Sequence, residues 1–358
     1  MWRQGKSHKK YMKRFLYVAI LTVFALQSCK EEVDWVPDDY STGDATENIT
    51  PPSGTYEADQ DFKIVAYYAA GRNPDSIDVR KYKMITHLNF AFLYPNADGS
   101  LQELSNRENF DEVMTLAREN GVKTAISLAG GESVYSALAA NPGSRRNLVG
   151  NVVNFVLRHN LDGVDLDWEY PRANKANNIT YTALVKELSD SLHTWHKYLS
   201  VAVTPALYPG SVRDGVAEES IQYIDFVNIM MYDGIGWDSE DPGQHSTYRM
   251  AQESLDIWLN SKGLPKEKAI VGVPAYGKNT SNSALTYRSL LWAGADPTLD
   301  SFEVNDVMYY YNGTETVKRK AELAKEHANG VMVWEFYQDT NGEHSLLKAM
   351  NDELGRSY

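Results

Sequence analysis

The chain of 358 residues is long enough for one large domain or two small ones, and its 43% hydrophobic residues can form a sizeable core. The net charge of −13 argues against a nucleic-acid partner, because phosphates require a basic surface. With only one cysteine, an intrachain disulfide is excluded and the core itself must stabilise the fold.

Residues 1–28 are predicted to be a signal peptide. Basic residues precede an apolar run from Phe15 to Leu26, and this run is too short to cross the ~30 Å hydrocarbon layer as a helix. The string from Leu26 to Cys29 resembles a bacterial lipobox, which implies that Cys29 is acylated and forms a lipid anchor to the membrane. A plain secretory peptide with an incidental cysteine is the alternative.

Residues 29–60 are rich in Asp, Glu, Pro, Ser, Thr and Gly and show no hydrophobic period. This composition predicts an acidic, disordered tether ahead of a domain at 61–358. Lys30, Glu31 and Glu32 resemble a surface-export signal of lipoproteins in some Gram-negative bacteria, although the start of a solvated linker explains them equally well. The expected location is the bacterial cell envelope, at the outer membrane, with the domain exposed on the surface.

From Phe62 onward, apolar strand-like segments alternate with amphipathic helix-like segments, as in repeated βα units. The eight predicted strands are Lys63–Tyr68, Met84–Phe92, Lys123–Leu128, Gly163–Glu169, Leu199–Pro205, Phe226–Tyr232, Ala269–Tyr276 and Gly330–Phe336. The five clear helices are Asn109–Asn120, Ser144–Asn160, Thr180–Tyr198, Tyr248–Ser261 and Thr316–Asn329. The pattern predicts an α/β fold, a (β/α)8 TIM barrel. A doubly wound open sheet is the runner-up, but no glycine-rich phosphate loop follows the first strand.

The fourth predicted strand carries three acidic residues in alternation. Asp165, Asp167 and Glu169 share one face, while the apolar residues between them share the other. In a barrel, the apolar face meets the helices and the carboxyl groups point toward the axis, close to the strand's carboxyl end, where barrel active sites lie. A purely structural strand would not bury three unpaired charges, so this row predicts a catalytic site.

Three interpretations of this acidic row are possible: a metal site, a solvated turn and acid–base chemistry. A metal site is disfavoured, because a Ca²⁺ loop pattern and nearby histidines are missing and the fifth strand ends without acids, so no metal or other cofactor is expected. A solvated acidic turn does not fit the apolar alternation. Acid–base chemistry remains: neighbouring carboxyl groups cannot all ionise, so Glu169 becomes the proton donor while Asp167 and Asp165 share a proton.

The run from Asp162 to Pro171 resembles the signature of glycoside hydrolase family 18, the chitinases and endo-β-N-acetylglucosaminidases. The resemblance implies hydrolysis of β-linked N-acetylglucosamine glycans with retention of configuration, in which the substrate's own acetamido group is the nucleophile. Glu169 is then the general acid, Asp167 orients the acetamido group, and Asp165 is the buried partner of Asp167.

Further elements of the family are matched elsewhere in the chain. Tyr232 is implied to hydrogen-bond the acetamido carbonyl, Met230 and Asp233 to line the same subsite, and Trp334 to form the aromatic floor beneath the sugar. The remaining positions implied to bind substrate are Tyr67, Phe90, Gly130 and Gly131. Taken singly, Tyr232 and Trp334 are more typical of a core, and the glycines are typical of any tight turn. Their joint occurrence near the ends of predicted parallel strands favours a substrate-binding site.

Two further features of the sequence bear on the shape of the cleft and on the substrate. The stretch from Gly277 to Asn329 leaves little room for a large α+β insertion, so a single catalytic domain with an open cleft is expected. Trp168 within the row resembles the chitinase version of the motif, which favours chitin oligosaccharides. An endo-β-N-acetylglucosaminidase acting on N-glycan cores, and a non-catalytic surface glycan-binding protein, are the alternatives.

The expected partner is an N-acetylglucosamine-containing oligosaccharide or polysaccharide, bound by a monomer. Trp237, Trp292 and the run Tyr309–Tyr311 are candidate additional sugar platforms.

Overall fold

The computed structural model describes residues 49–358. The predicted signal peptide, Cys29 and most of the predicted tether lie outside these residues. The described strands are β1 (Lys63–Ala69), β2 (His87–Leu93), β3 (Lys123–Gly131), β4 (Gly163–Glu169), β5 (Tyr198–Val203), β6 (Phe226–Ile229), β7 (Ala269–Pro274), β8 (Tyr276–Lys278), β9 (Ala284–Thr286), β10 (Ser301–Val304), β11 (Val307–Tyr310) and β12 (Gly330–Trp334).

Eight of these strands close into a parallel barrel in the order β1-β12-β7-β6-β5-β4-β3-β2. They correspond one to one to the eight predicted strands, with ends that differ by a few residues. The predicted (β/α)8 barrel is therefore confirmed, and the open sheet is excluded because each of these eight strands pairs with two neighbours and no edge strand remains.

The helices are α1 (Arg107–Glu119), α2 (Glu132–Ala140), α3 (Pro142–Arg158), α4 (Asn177–Thr194), α5 (Tyr248–Asp256), α6 (Tyr287–Trp292), α7 (Thr314–His327) and α8 (Leu346–Glu353). All five predicted helices are present, whereas α2, α6 and α8 were not predicted. Local signals set some boundaries: Pro142 occupies the first turn of α3, and the Asn141 side chain accepts hydrogen bonds from the Gly143 and Ser144 amides. Within the described residues, no helix combines the length and apolar character that a membrane span requires.

The alternation along each strand separates two hydrophobic layers. On β4, Val164, Leu166 and Trp168 belong to the large cluster between the strands and the helices. The Trp168 ring stacks on Tyr135 of α2, with centroids 5.2 Å apart and an interplanar angle of 17°. This apolar face therefore fixes β4 against the outer helices and leaves its other face to the barrel interior, as predicted.

Between β7 and β12 the chain forms a small antiparallel sheet in the order β10-β11-β8-β9, accompanied by α6. The barrel thus lacks a large insertion, as expected, but the stretch is not simply loop and helix. Strands of three or four residues carry too little periodicity to be recognised from sequence.

Some residues of the predicted tether contact the barrel. Tyr56 stacks on His193 of α4 with ring centroids 4.1 Å apart. The Lys63 ammonium donates to the carbonyl oxygens of Asp59 and Asp61, each at 2.8 Å. Tyr56 and Asp59 therefore lie at the amino-terminal end of the barrel, opposite the mouth where the acidic row ends.

Candidate active site

The acidic row of β4 points into the closed barrel. Asp165 is 0% exposed and Asp167 4% exposed, while Glu169, at the strand's carboxyl end, is exposed at the mouth. Pairing with β3 sets Asp167 beside Ala129 and Glu169 beside Gly131. The small neighbours leave both carboxyl groups open to the mouth, so the predicted arrangement of the row is present.

Asp165 is surrounded by hydrogen-bond donors from four strands. Its carboxylate accepts from the hydroxyls of Tyr67 and Ser127, each at 2.8 Å, from the Ser200 hydroxyl at 2.7 Å, and from Asn228 Nδ2 at 3.2 Å. Burial raises the pKa of Asp165, and these four hydrogen bonds oppose the rise by stabilising the ionised form. Ser200 and Asn228 were missed from sequence, although both occupy inward positions of their predicted strands.

Asp167 has a different environment. Its Oδ1 atom is buried and has no hydrogen-bond partner in the described part of the chain. Burial, the negative charges of Glu169 and Asp165, and a hydrogen bond to Glu169 raise the pKa of Asp167 well above its usual range. The surroundings of Asp167 therefore favour its protonated form, next to the exposed Glu169 on the same strand.

A cavity of about 200 Å³ opens above the row. Its lining residues are Phe92, Asp167, Glu169, Tyr170, Pro205, Met230, Tyr232, Asp233, Tyr276 and Trp334. Six of the predicted site residues meet here. The cavity combines carboxyl groups with aromatic faces, which suits a polar ligand with flat apolar faces such as a sugar.

Two aromatic residues, Tyr232 and Trp334, line this cavity. Burial and nearby carboxylates, Asp167 first, raise the pKa of Tyr232 well above its ordinary value, so its phenol remains a hydrogen-bond donor. Trp334, the last residue of β12, lies against Phe92 with ring centroids 5.6 Å apart and against Tyr67 at 5.4 Å. The indole is thus held by rings from β1 and β2 and presents a fixed apolar surface.

Asp233 lies at the rim, with 48% of its side chain exposed. It accepts a hydrogen bond from the Tyr276 hydroxyl at 2.6 Å and pairs with Lys278 Nζ at 2.7 Å. Burial tends to raise the pKa of Asp233, but hydrogen bonds from His245, Lys278 and Tyr276 outweigh it and hold the pKa well below the usual range. Asp233 therefore supplies a permanent negative charge at the rim.

One predicted site residue is wrong. Phe90 is completely buried among the outer residues, with ring centroids 5.7 Å from Tyr68 and 5.1 Å from Phe110. The β2–β3 pairing shifts register between Ala91 and Leu93, and this irregularity turns Phe92 into the cavity instead. A bulge has no clear signature in one sequence, so the aromatic position implied by the family resemblance was placed at Phe90, whereas the structure has Phe92 in the cavity.

Three other residues that were predicted to bind substrate do not line the cavity. Tyr67 lies below it, 1% exposed, and holds Asp165. A Cβ atom at Gly130 would lie 2.7 Å from the Tyr135 ring, so this glycine makes room for the ring that stacks on Trp168. Gly131 directly precedes α2. Tyr67 thus contacts the site through Asp165, and Gly130 contacts it through the packing of Tyr135 on Trp168.

The candidate sugar platforms are dispersed. Trp292 is 78% exposed at the end of α6, Trp237 lies beneath the Arg249 guanidinium at 5.5 Å, and Tyr311 is buried. None of them lines the cavity above the row. Within residues 49–358, no group of three or more His, Cys, Asp or Glu side chains is arranged to hold a metal ion.

Comparison with known proteins relates this chain to one family of glycosyl hydrolases. Residues 63–339 match the model of the family described as glycosyl hydrolases family 18. The "GH18 chitinase ChiB from the chitin utilization locus of Flavobacterium johnsoniae" is 31% identical with a TM-score of 0.69, and the match covers 82% of this chain and 94% of that one. A "Probable chitinase 10" of Drosophila melanogaster is 27% identical over 387 residues, which cover 86% of this chain but 17% of that relative.

The fold is also shared with a lectin. A "chitinase-like agglutinin" from Robinia pseudoacacia is 22% identical with a TM-score of 0.68, and the match covers 81% of this chain and 98% of that one. This likeness concerns the fold alone. The barrel by itself therefore does not distinguish a hydrolase from a glycan-binding protein, and this distinction depends on the residues of the site.

Proposed function

Because this chain belongs to glycosyl hydrolases family 18, we propose that it hydrolyses β-1,4-linked N-acetylglucosamine glycans, with chitin oligosaccharides as the preferred substrate. The observation that carries the proposal is the inward row of β4, in which a buried Asp167 with a raised pKa lies below an exposed Glu169 at the mouth. A strand with only a structural role has no need for carboxyl groups that point into the barrel.

In the proposed reaction, Glu169 donates a proton to the glycosidic oxygen while the carbonyl oxygen of the substrate's 2-acetamido group attacks the anomeric carbon. The bond to the leaving sugar breaks and an oxazolinium forms. Glu169 then removes a proton from a water molecule that attacks the same carbon; the bond between this carbon and the acetamido oxygen breaks, the acetamido group is restored, and the second inversion retains the configuration. The Oδ1 atom of Asp167, which has no partner within the described residues, accepts a hydrogen bond from the acetamido N–H and orients the group.

The cavity walls support this chemistry. The neutral phenol of Tyr232 is placed to donate to the acetamido carbonyl, which would hold the nucleophilic oxygen near the reacting carbon. Trp334 offers its face to the sugar ring, and Met230 fills the wall between them. Asp233 would meet hydroxyl or amide donors at the rim.

The proposed preference for chitin over N-glycan cores rests on the resemblance of the Trp168-containing motif to chitinases. The Trp168 side chain itself packs against α2, so it does not contact the ligand directly. A product profile measured on chitin oligomers and on a high-mannose glycopeptide tests this choice. Release of the N-glycan with no cleavage of chitin oligomers would reverse it.

A glycan-binding protein without catalysis is the second candidate, favoured by the shared fold of the agglutinin. Retention of Glu169, Asp167, Asp165 and Tyr232 in one site supports the hydrolase instead. Incubation of the purified protein with a chromogenic di-N-acetylchitobioside separates the two. We expect turnover, and binding of the compound with no turnover would favour the lectin.

We also propose that the enzyme is lipid-anchored through Cys29 to the bacterial outer membrane and exposed on the cell surface, a location that rests on the sequence of residues 1–60. Such a location would bring the cleft to polymeric glycans that cannot enter the cell.

A further inference from the structure

The outer helix α7 buries a lysine. Lys320 is 0% exposed and lies on the inner face of the helix, where Val317, Ala321 and Ala324 are also buried. Removing an ammonium group from water is costly unless all of its N–H donors find acceptors inside the protein. The contacts of this ammonium therefore indicate what the lysine holds in place.

All three donors of the Lys320 ammonium have acceptors. Nζ donates to the Ser246 carbonyl oxygen at 2.9 Å, to the Ser246 hydroxyl at 2.7 Å and to Asn312 Oδ1 at 2.7 Å. The Asn312 amide donates in turn to the same Ser246 carbonyl oxygen, also at 2.9 Å. None of these acceptors carries a charge. The ammonium therefore fixes Ser246 through both its main chain and its side chain.

Ser246 connects this lysine to the cavity above the acidic row. An ammonium has no lone pair, so the Ser246 hydroxyl accepts from Lys320 and keeps its own hydrogen for another partner. That partner is the Met231 carbonyl oxygen, at 2.6 Å. Met231 is fully buried between Met230 and Tyr232, both of which line the cavity. Lys320 is thus joined through Ser246 to the main chain of the cavity wall.

His245, the residue before Ser246, contacts the other end of the same segment. The Gly234 N–H donates to the His245 carbonyl oxygen at 2.9 Å. The His245 ring is 0% exposed, and its Nδ1 atom lies 3.5 Å from Asp233 Oδ1. Residues 245–246 therefore contact the segment 231–234 on both sides of Tyr232, so the position of this segment depends on what fixes Ser246.

We propose that Lys320 is a positioning residue for Tyr232: its ammonium fixes Ser246, and Ser246 fixes the main chain that carries Tyr232. Lys320 itself does not touch the ligand. Without the ammonium, the segment 231–234 should shift, and the Tyr232 phenol should lose its alignment with the acetamido carbonyl. The catalytic consequence rests on the proposed function, whereas the effect on the position of Tyr232 does not.

The first test compares crystal structures of the unaltered protein and Lys320→Met. Methionine has a similar volume without the charge, and folds commonly tolerate the replacement of a buried charge by an apolar side chain. We expect the hydrogen bond between Ser246 and Met231 to break and the Tyr232 hydroxyl to move by ~0.5–1 Å. Unchanged positions of Ser246 and Tyr232 overturn the proposal. This test does not depend on activity, so failure of the proposed function remains distinguishable.

The second test is the steady-state kinetics of Lys320→Met on a chromogenic chitobioside. Tyr232 acts on the nucleophilic oxygen, whereas Trp334 still offers its face to the sugar. We therefore expect kcat to fall about 10-fold while KM changes by less than about 2-fold. A variant with unchanged kcat, or with the whole loss in KM, contradicts the positioning role.

Ser246→Ala interrupts the same path at its middle. It removes the hydroxyl between Lys320 and Met231, so the same reduction of kcat is expected. In the double variant the two losses should not add, because both residues act through one hydrogen-bonded path. Fully additive losses overturn the proposal. If Lys320→Met does not fold, Ser246→Ala alone decides, since an unchanged kcat in that variant excludes the path.

The third test uses the ionisation of the lysine. Burial lowers the pKa of Lys320 to about 7. The neutral amine that forms above this pH has two N–H donors in place of three. The ratio of kcat between the unaltered protein and Lys320→Met should therefore be larger at about pH 6 than at about pH 8. A ratio that stays constant or rises contradicts a role for the ammonium.

Two other ionisable groups interact with Lys320. Asp300, just before β10, opposes the fall of the Lys320 pKa through its negative charge. The pKa of His245 is lowered, chiefly by burial and to a smaller extent by the Lys320 charge. The carboxyl groups of the acidic row titrate in both proteins, so their contribution cancels from the ratio.

Lys63→Met is the matched control. Lys63 is 2% exposed, and its ammonium also donates to main-chain carbonyl oxygens, but it lies at the amino-terminal end of the barrel. This substitution should leave kcat unchanged. A reduction of kcat equal to that of Lys320→Met would show that loss of any buried lysine has the same effect, and would overturn the proposal.

Discussion

Asp165 and Asp167 are two residues apart on one strand, yet their surroundings assign them different tasks. Four donors stabilise the ionised form of Asp165, whereas Asp167 has an unpaired oxygen and two acidic neighbours. Protonation is therefore more favourable at Asp167, which lies next to Glu169 and the cavity. Pairs of carboxyl groups with divergent environments are how proteins assign acid and base roles at one pH.

At the scale of single residues, Glu169→Gln should abolish hydrolysis, because the amide cannot donate the proton that the leaving group needs. We expect kcat to fall by about 100-fold or more, as is usual when a general acid is lost. Binding of a chitin oligomer, measured by calorimetry, should remain within a few fold. Glu119→Gln on the outer surface of α1 is the control, and near-normal turnover of Glu169→Gln would place the acid elsewhere.

Asp167→Asn should also be severely impaired, because the acetamido group loses the carboxylate that orients it. A reduction of kcat/KM of about 100-fold is expected from the loss of orientation. Turnover of a chromogenic chitobioside measures it, with the exposed Asp111→Asn as control. Near-normal rates would argue against assistance by the substrate.

The same variant should be more stable than the unaltered protein at neutral pH. In the folded protein the pKa of Asp167 lies well above its unfolded value of ~3.9. The folded state therefore binds this proton more tightly, so Asp167 contributes most to stability below the unfolded pKa and lowers the free energy of unfolding as the pH rises. Asparagine has no such dependence. The Tm of Asp167→Asn should therefore exceed that of the unaltered protein at about pH 7, and the difference should shrink toward about pH 4. An equal or lower Tm at neutral pH would contradict the raised pKa.

At the scale of elements, the irregularity in β2 decides which phenylalanine serves the site. Phe90→Ala removes a fully buried ring from the outer layer and should lower the free energy of unfolding by about 3–5 kcal/mol with little change in KM. Phe92→Ala removes the ring that stacks on Trp334 and should raise KM with a smaller effect on stability. Chemical unfolding and steady-state kinetics of the pair measure this contrast, and the opposite pattern would restore the original prediction for Phe90.

The small inserted sheet also contributes to the site. Its first strand, β8, supplies Tyr276 and Lys278, both of which bind the Asp233 carboxylate. The rim charge therefore depends on a three-residue strand that pairs with β9 and β11. Even a short insertion thus completes the cleft on this side.

At the scale of the whole molecule, the barrel has two ends with different roles. The acidic row and the cavity open at the carboxyl ends of the strands, while Tyr56 and Asp59 pack against the opposite end. Tyr56 and Asp59 therefore lie at the end of the barrel opposite the cleft.

The proposed anchor leads to a direct prediction. Cys29→Ser removes the thiol that would be acylated, and the protein should move from the membrane fraction to the soluble fraction of fractionated cells. Ser28→Ala, which retains the cysteine, serves as the control and should stay with membranes. Membrane association of Cys29→Ser would refute the lipid anchor.

The amino-acid sequence by itself determined the eight strands, the main helices and the inward row of β4, because these follow from alternation and periodicity between residues close in the chain. Only the tertiary structure decided the irregularity that selects Phe92, the donors around Asp165, the β8 contacts of Asp233 and the packing of Tyr56. Each of these depends on register and closure between segments far apart in sequence, and local patterns do not encode them. The raised pKa of Asp167 belongs to the same group, since it arises from burial inside the closed barrel as well as from its neighbours on the strand.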